Sequence, residues 1–299
     1  MAANAESNLP PPLEASAYER SWLLRRIHRN RAMRWGTDPG VYDARAVEQT
    51  LRRVERLFGD GRYFRLDVKG LENVPPAPAM LVSNHSGGTT IPDVWGFAVA
   101  WYRWFGASRP LHLMTHEVIL ATEATGRYFA TRGALRASEA AARAALQRFG
   151  RDVIVMPGGE MDAWRPHRRR WQVEFAGRTG YAKLALRLGV PIVPVAHAGP
   201  HETLWVITDG RKIARAMRLH HLARAEIWPV HVSVPWGLAV GPWPHIPVPT
   251  RFSYRVGAPI RPEPCEGEPT KAQIAALDAR VRRAVQADLD DLARSYDGE

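Results

Sequence analysis

The chain has 299 residues, of which 45% are hydrophobic and 24% are charged. This balance is typical of a soluble globular protein and excludes a disordered or fibrous chain. The single cysteine excludes an internal disulfide framework and any cysteine-based zinc cluster. The 41 lysines and arginines exceed the 30 aspartates and glutamates, which gives a formal net charge of +11. That excess favours an anionic partner, and composition leaves open whether this is a nucleic acid, a membrane surface or a phosphorylated substrate.

The start of the chain predicts no signal peptide. Residues 1–14 are small, polar and interrupted by prolines, so we expect a cytoplasmic protein. The longest uncharged run, residues 227–250, is long enough to cross a bilayer, but its six prolines exclude a transmembrane helix. Its tryptophans suit either the headgroup layer of a membrane or packing on the core.

Helical and strand patterns alternate along the chain. Residues 18–34 predict a basic amphipathic helix, which suits an anionic membrane or a solvated cap equally well. Further helices are predicted at residues 43–58, 93–104, 138–149, 179–188 and 270–296, and a second basic amphipathic stretch at residues 211–224. Strands are predicted at residues 79–83, 111–115, 153–156, 192–196, 230–234 and 252–256. The alternation predicts an α/β fold with a single, mainly parallel (mixed) sheet, flanked by helices and extended by helices at both ends.

The most informative segment is L-V-S-N-H-S-G-G-T-T-I-P-D, residues 81–93. A predicted strand ends before His85, a Gly87-Gly88 turn follows, and Asp93 lies in the first turn of the next predicted helix. Open α/β sheets place their active sites at the carboxyl ends of strands, and a carboxylate beside an imidazole makes it a general base. The segment predicts either a catalytic His85–Asp93 pair, with Gly87 and Gly88 offering N–H groups to an oxyanion, or a histidine that only hydrogen-bonds within a turn.

Four sequence blocks in a set order make residues 66–262 similar to the phospholipid/glycerol acyltransferase superfamily. The first family block, N-H-x4-D, resembles Asn84-His85 followed by Asp93 after seven residues. The second, G-x-x-F-x-x-R, is complete in G-R-Y-F-A-T-R, and His116-Glu117 resembles the segment upstream of it. The residues that carry this second block are Gly126, Phe129 and Arg132, together with Glu117.

The third block departs from the family and the fourth matches it. The usual F-P-E-G-T-R is replaced by M-P-G-G-E, which contains Gly158, Gly159 and Glu160. The family's V-P-I-V-P-V is present without change at residues 190–195. The altered third block and the closing pattern at residues 244–260 resemble the mono- and diacylglycerol acyltransferase branch, whereas the first two blocks resemble 1-acylglycerol-3-phosphate acyltransferases.

The resemblance implies transfer of a fatty acyl group from an acyl thioester to a glycerolipid hydroxyl. His85 would take the hydroxyl proton while Asp93 orients it, with acyl-coenzyme A or an acyl-carrier protein as co-substrate and no bound cofactor. The acceptor would be lysophosphatidate or a neutral glyceride. Arg132 would offer a phosphate clamp. Outside the blocks, the basic run that starts at Arg165 is either solvated surface or a contact for the phosphates of coenzyme A or an anionic headgroup.

Two other functions stay open on the sequence. The same His–Asp pair in a hydrolase would activate water on acyl thioesters, and a non-catalytic protein would use its basic surface to bind phospholipid or nucleic acid. The chain has no nucleic-acid motif, so no nucleic acid is expected, and no histidine spacing that predicts a metal site. We expect the basic segments to hold the protein peripherally on the inner face of the cell membrane, at about 1 kcal/mol per arginine or lysine.

We expect three parts along the chain. Residues 1–60 would form a disordered start and basic amphipathic helices, residues 61–264 the acyltransferase domain, and residues 265–299 a C-terminal helix that docks through an apolar stripe. Within the domain, residues 94–105 and 227–250 would accommodate the acyl chain.

Overall fold

The computed structural model describes residues 35–217, 219, 226–263, 265 and 267–297. The helix predicted at residues 18–34 lies outside them, as does most of the basic stretch after residue 217. The strands in chain order are β1 (Arg65–Lys69), β2 (Met80–Ser83), β3 (Leu111–Thr115), β4 (Ala134–Arg136), β5 (Asp152–Val155), β6 (Ile192–Ala198), β7 (Trp205–Thr208), β8 (Val230–Ser233), β9 (Gly237–Val240) and β10 (Arg251–Val256). The α-helices are α1 (Ala44–Val54), α2 (Pro92–Phe105), α3 (Glu123–Ala130), α4 (Glu139–Arg143), α5 (Glu160–Ala163), α6 (Gly180–Leu188), α7 (Arg211–Ala216) and α8 (Lys271–Asp297).

Seven strands form the main sheet in the order β1-β10-β6-β2-β5-β3-β4. The five strands from β6 to β4 are parallel, while β10 runs antiparallel to β6 and parallel to β1. The predicted mainly parallel, mixed sheet flanked by helices is therefore confirmed. The five parallel strands end at one edge, which we call the carboxyl edge, and the loops that follow them meet there.

Each central strand sends alternate side chains into two hydrophobic cores. In β2, Met80 and Val82 join the core under α6 and α8, whereas Leu81 joins the core under α2. Burial on both faces explains why these strands are near-continuous apolar runs in the sequence. The amphipathic stripe of α8 packs in the first core, where Val281, Val285 and Leu289 are fully buried, and the helix contacts β6.

Four strands were not predicted from the sequence. The edge strand β1 alternates charged and apolar residues and is half-exposed, and β4 is only three residues long. The other two, β7 and β9, flank β8 in a separate antiparallel sheet of three strands. The uncharged run at residues 227–250 therefore forms a hairpin, and its Trp236 and Trp243 side chains are exposed rather than packed on the core.

The helices follow their sequence signals closely. Asp43 caps α1 by accepting hydrogen bonds from the N–H groups of Arg45 and Ala46. The helix predicted at residues 138–149 begins after its Ser138 cap as α4 and continues as a π-helical turn, Ala144–Arg148. Within the described ranges, none of the helices combines the length and the apolar character that crossing a membrane requires.

Candidate active site

A left-handed turn between β2 and α2 shapes the centre of the site. Gly87 and Gly88 have φ angles of +93° and +65°, and Ile91 has a φ of +45°. This conformation is unusual for a β-branched residue, and Pro92 then starts α2. The turn reverses the chain direction and brings Asp93 close to His85, eight residues earlier in the sequence.

His85 and Asp93 form a hydrogen-bonded pair across this turn. Nδ1 of His85 lies 2.6 Å from Oδ2 of Asp93, and the same oxygen accepts the N–H of Ser86 at 3.1 Å. The Asp93 side chain is fully buried, whereas that of His85 is 13% exposed. Burial alone would raise the pKa of Asp93, but His85 and its other hydrogen-bond donors lower it below the usual range. The ionised carboxylate accepts a hydrogen bond from Nδ1–H. Nε2 of His85 therefore carries the free lone pair and is the basic nitrogen.

A second carboxylate, Asp162, holds the other side of His85. The backbone N–H of His85 donates to Oδ2 of Asp162 at 2.6 Å. Asp162 also pairs with Arg165, and both side chains are buried. Burial and the neighbouring Arg169 lower the pKa of Arg165 to about 10, so that it keeps its charge at neutral pH. Arg165, predicted to meet substrate phosphates, pairs with the carboxylate that fixes the backbone of His85 and also lines the cleft described below.

Asn84 ties the end of β2 to β6. Its amide donates to the carbonyl of His197 and accepts the N–H of the same residue, each at 2.9 Å, so it continues the strand pairing with a side chain. The ring of His197 bonds through Nε2 to Oγ of Ser86 at 2.8 Å. Burial lowers the pKa of His197 to about 3, which keeps the ring neutral beside Asp93.

The loop after β5 is tightly packed and its carbonyl groups are hydrogen-bonded. A Cβ atom at Gly158 would lie 1.9 Å from the carbonyl oxygen of Glu174, so only glycine fits where the family has glutamate. Arg178 donates to the Pro157 and Gly158 carbonyls, each at 3.2 Å. The N–H of Gly159 bonds to Met156 within the turn.

Glu160 contacts the backbone rather than His85. Its Oε1 accepts the N–H of Glu226 at 2.8 Å, and burial raises its pKa above the usual value. The charge of His116, which follows β3, acts on Glu160 in the opposite direction. Glu117 begins the short 3₁₀ helix after His116, so the loops after β3 and β5 meet at the carboxyl edge.

The second sequence block lies along α3, which runs back from the carboxyl edge. Gly126 allows the ring of Trp35 to pack 3.1 Å from where a Cβ atom would stand, and Phe129 is half-buried. Arg132 comes just before β4, at the opposite edge of the sheet from His85. Its guanidinium donates to Thr50 at 2.7 Å and stacks on the ring of Tyr128.

The structure therefore does not bring Arg132 to the predicted site. The arginine at the carboxyl end of β4 is Arg136, which is buried, pairs in register with Thr115 and donates to the carbonyl of Trp35 at 3.0 Å. It escaped the sequence analysis because the G-x-x-F-x-x-R pattern is already complete four residues earlier.

A cleft of about 250 Å³, part of it open to solvent, lies beside the turn that directly follows His85. Gly87 and Ser86 form one wall, Asp162 and Arg165 another, and Leu204 and Val206 of the small sheet a third. Gly88 lies deeper, and a Cβ atom there would meet the rings of Trp164 and His245 at 3.1–3.3 Å. A substrate in this cleft would meet the backbone of Gly87 beside a carboxylate-oriented imidazole, which is the arrangement that general-base catalysis requires.

The structure assembles more of the site than the sequence predicted. It places His85, Asp93, Gly87 and the third block at one edge, and adds Asp162, His197 and Asn84. Asp162 follows Glu160 by two residues in M-P-G-G-E-M-D, where only its contact with His85 distinguishes it from a surface carboxylate. The other residues of the strand that contains His197 are apolar. A histidine in such a strand is the one sequence feature that could have marked it as a site residue.

Comparisons with known proteins agree with this organisation. Residues 65–198 match the model of the Acyltransferase family, a span that begins with β1 and ends with β6. An uncharacterized protein of Mycobacterium tuberculosis (strain ATCC 25618 / H37Rv) is 28% identical over 228 residues, which are 76% of this chain and 60% of that protein. An uncharacterized protein of Mycobacterium leprae (strain TN) is 26% identical over 200 residues, 66% of this chain and 51% of that protein. The chain thus spans 60% or less of the length of these curated relatives.

One solved structure is also similar. It is the crystal structure of the 1-acyl-sn-glycerophosphate (LPA) acyltransferase, PlsC, from Thermotoga maritima. The match covers 93% of this chain and 91% of that chain, with 19% sequence identity and a TM-score of 0.47.

Proposed function

We propose that the protein, whose residues 65–198 match the model of the Acyltransferase family, transfers a fatty acyl group from an acyl thioester to a hydroxyl group of a glycerolipid. The observation that carries the proposal is the 2.6 Å contact between Nδ1 of His85 and the buried carboxylate of Asp93. It leaves Nε2 free to act as a base, and the cleft lined by Ser86 and Gly87 lies beside the pair.

The proposed reaction needs no covalent enzyme intermediate. Nε2 of His85 takes the proton of the acceptor hydroxyl while the oxygen attacks the thioester carbonyl. The tetrahedral intermediate collapses as the carbon–sulfur bond breaks, and the His85 imidazolium returns the proton to the departing thiolate. Asp93 stabilises the imidazolium, as the carboxylate of a catalytic triad does, and Asp162 holds the backbone of His85 through both steps.

The oxyanion of the intermediate needs hydrogen-bond donors close to His85. Gly87 is the candidate that the geometry favours, because it lines the cleft directly after Ser86. Gly158 and Gly159 are less suited, because Gly158 is packed against Glu174 and the N–H of Gly159 is already bonded within its turn.

The cations of the site support a proposal for the acceptor class. Arg132 contacts Thr50 at the opposite edge, and Arg165 is paired with Asp162 in the interior. Arg132 is thus away from the cleft, and the charge of Arg165 is already matched by Asp162. Arg170, which also lines the cleft, lies 3.4 Å from Glu202, and this pairing of the cations favours a neutral mono- or diacylglycerol as acceptor. We propose acyl-coenzyme A or an acyl-carrier protein as donor, no bound cofactor and no nucleic-acid partner.

The test is thiol release from palmitoyl-coenzyme A by the full chain, with monoacylglycerol, diacylglycerol, lysophosphatidate or no acceptor. We expect release that depends on a neutral acceptor, formation of the matching acylated lipid, and loss of both in His85→Ala. Circular dichroism and thermal unfolding establish that the variant is folded. Parallel assays with palmitoyl-acyl-carrier protein cover the second donor.

Each outcome has a distinct meaning. Release without any acceptor would replace the proposal with a thioester hydrolase that uses the same pair to activate water. Preference for lysophosphatidate would keep the acyltransferase and overturn the neutral acceptor. Undiminished transfer by folded His85→Ala would remove His85 from the mechanism.

A further inference from the structure

The small sheet exposes its apolar face to water and buries its more polar face. Its buried face contains His231, Ser233 and Ala239, whereas its other face, here called the outer face, exposes large apolar side chains. On the strands these are Trp205, Ile207, Leu238 and Val240, and we include in the outer face the exposed rings of Trp236 and Trp243, which lie before and after β9 and contact each other. Leu238 is 68% exposed. A sheet with one face in water normally shows the opposite alternation, and a contiguous exposed apolar patch marks an interaction site.

The outer face can be transferred from water into an apolar medium at little cost. Residues 227–250, which supply most of it, contain no aspartate, glutamate, lysine or arginine. The indole N–H of Trp236 donates to the Pro244 carbonyl at 2.5 Å, and that of Trp243 to the Val240 carbonyl at 2.9 Å. Because both indole donors already have partners, moving these rings into an apolar medium leaves neither of them unsatisfied.

The buried side of the same sheet covers the candidate active site. Oγ1 of Thr89, in the catalytic turn, donates to the Pro242 carbonyl at 2.9 Å, and Thr90 bonds His245 at 3.2 Å. Leu204 and Val206 line the cleft beside Gly87. Val206 of β7 lines the cleft while the next residue, Ile207, is exposed on the outer face, so the two surfaces adjoin across this strand.

We propose that the outer face docks in the interfacial layer of a lipid bilayer and thereby places the cleft beside acceptor molecules in the membrane. The choice of a lipid occupant rests on the proposed function, since a glycerolipid acceptor resides in a bilayer. Charge supports the same occupant, because Lys212 and Arg215 are exposed on the helix that directly follows β7, and the whole chain carries +11. Tryptophan rings suit the headgroup level. Because β9 is an open edge strand, docking stops at the interface rather than in the hydrocarbon.

Flotation of the full chain with vesicles tests the proposal. The vesicles are pure phosphatidylcholine or phosphatidylcholine mixed with phosphatidylglycerol, each at low and high salt and without thioester. The test variant is Trp236→Ser with Leu238→Ser. The matched control is Trp104→Ser with Leu57→Ser, which changes the same residue types, also exposed, near the end of α2 and in the 3₁₀ turn after α1, outside the small sheet. Thermal unfolding establishes that both variants are folded.

The expected result separates the outer face from general charge. Wild type and control bind both kinds of vesicle, more strongly when anionic lipid is present, and the binding to neutral vesicles persists at high salt. The partition coefficient of the test variant into vesicles is at least about tenfold lower than that of wild type. Quenching of tryptophan fluorescence by bromine-labelled lipid falls in the same variant and not in the control.

Three results would overturn the proposal. The test variant binding as well as wild type would exclude the outer face, and binding only to anionic vesicles at low salt would assign attachment to charge alone. A wild-type dimer that the substitutions convert to a monomer would assign the face to a second copy of the chain. Because binding is measured without thioester, an inactive wild type that still floats would reject the proposed function and leave the docking surface in place.

Discussion

The carboxylate of Asp162 accepts the backbone N–H of His85 across 77 residues of sequence, with 2.6 Å between nitrogen and oxygen. On the other side, the His85 ring bonds Asp93. One carboxylate therefore fixes where the backbone of His85 lies, and another fixes how its imidazole is oriented. The guanidinium of Arg165 balances the charge of Asp162 in the interior.

Breaking the buried Asp162–Arg165 pair should lower both stability and turnover. Asp162→Asn leaves Arg165 buried without its carboxylate, which costs about 3–5 kcal/mol of the free energy of unfolding. Asp162→Asn with Arg165→Met removes both charges and should recover much of that stability. Urea unfolding measures the first effect, and Asp67→Asn on the exposed side of β1 is the control.

Turnover distinguishes positioning from folding in the same variants. The double variant should stay well below wild-type kcat although it is folded, because the backbone of His85 has lost its charged acceptor. If kcat returns to the wild-type value together with stability, Asp162 has only a structural role.

Asp93→Asn should abolish most of the acyl transfer while leaving the fold intact. An amide donates or accepts with fixed geometry and cannot stabilise an imidazolium as a carboxylate does. We expect kcat to fall roughly 10²–10⁴-fold, with little change in KM for the thioester. Thiol release measures it, and a fall of less than tenfold would contradict the role of the pair.

The neutral, buried His197 should make the protein less stable in mild acid. Its pKa is lowered to about 3 by burial, whereas histidine in an unfolded chain has a pKa of about 6.5. Between these values the unfolded chain binds a proton that the folded chain does not, so the free energy of unfolding falls as pH falls. The loss is up to about 1.4 kcal/mol per pH unit.

Urea unfolding between pH 4.5 and 7.5 measures this dependence. His197→Gln should flatten the curve by about one proton. Equal slopes in wild type and His197→Gln would show that His197 is not the group responsible.

Gly158→Ala should destabilise the protein through a steric clash. The new methyl group would lie 1.9 Å from the Glu174 carbonyl oxygen and 2.4 Å from Cβ of Asp162, and overpacking of this kind costs about 1–3 kcal/mol or more. Gly180→Ala, at a position with no atom within 4 Å of the new methyl, should be neutral or slightly stabilising. Thermal unfolding compares the two, and equal melting temperatures would contradict the packing described for this loop.

Arg132→Ala should affect stability and not acceptor choice. The variant loses a hydrogen bond to Thr50 and the contact with the Tyr128 ring, which together contribute about 1–2 kcal/mol. Thr50→Val removes only the hydrogen bond, so its loss in the free energy of unfolding should be smaller. A selective rise in KM for lysophosphatidate, with no change for diacylglycerol, would restore the phosphate-clamp role that the sequence predicted.

The sequence by itself determined the parts of the molecule that depend on local pattern. The strands β2, β3, β5, β6 and β10 are buried on both faces, so their apolar runs predict them almost to the residue. His85, Asp93 and the glycine turn between them were recognisable because strand, turn and helix follow one another directly in the chain. The stripe of α8 was equally clear, because one helix carries the whole pattern.

Only the tertiary structure decided which distant groups meet. Asp162, Asn84 and His197 acquire their roles through contacts across 77 to 113 residues, and no local periodicity encodes such contacts. Arg132 satisfied a motif, yet the direction of α3 carries it to the opposite edge. The sequence left open whether the tryptophans of residues 227–250 face outward or pack on the core, because alternation along a strand shows which residues share a face but not which face meets water. That depends on what the chain packs beneath it, here the turn that brings Asp93 to His85.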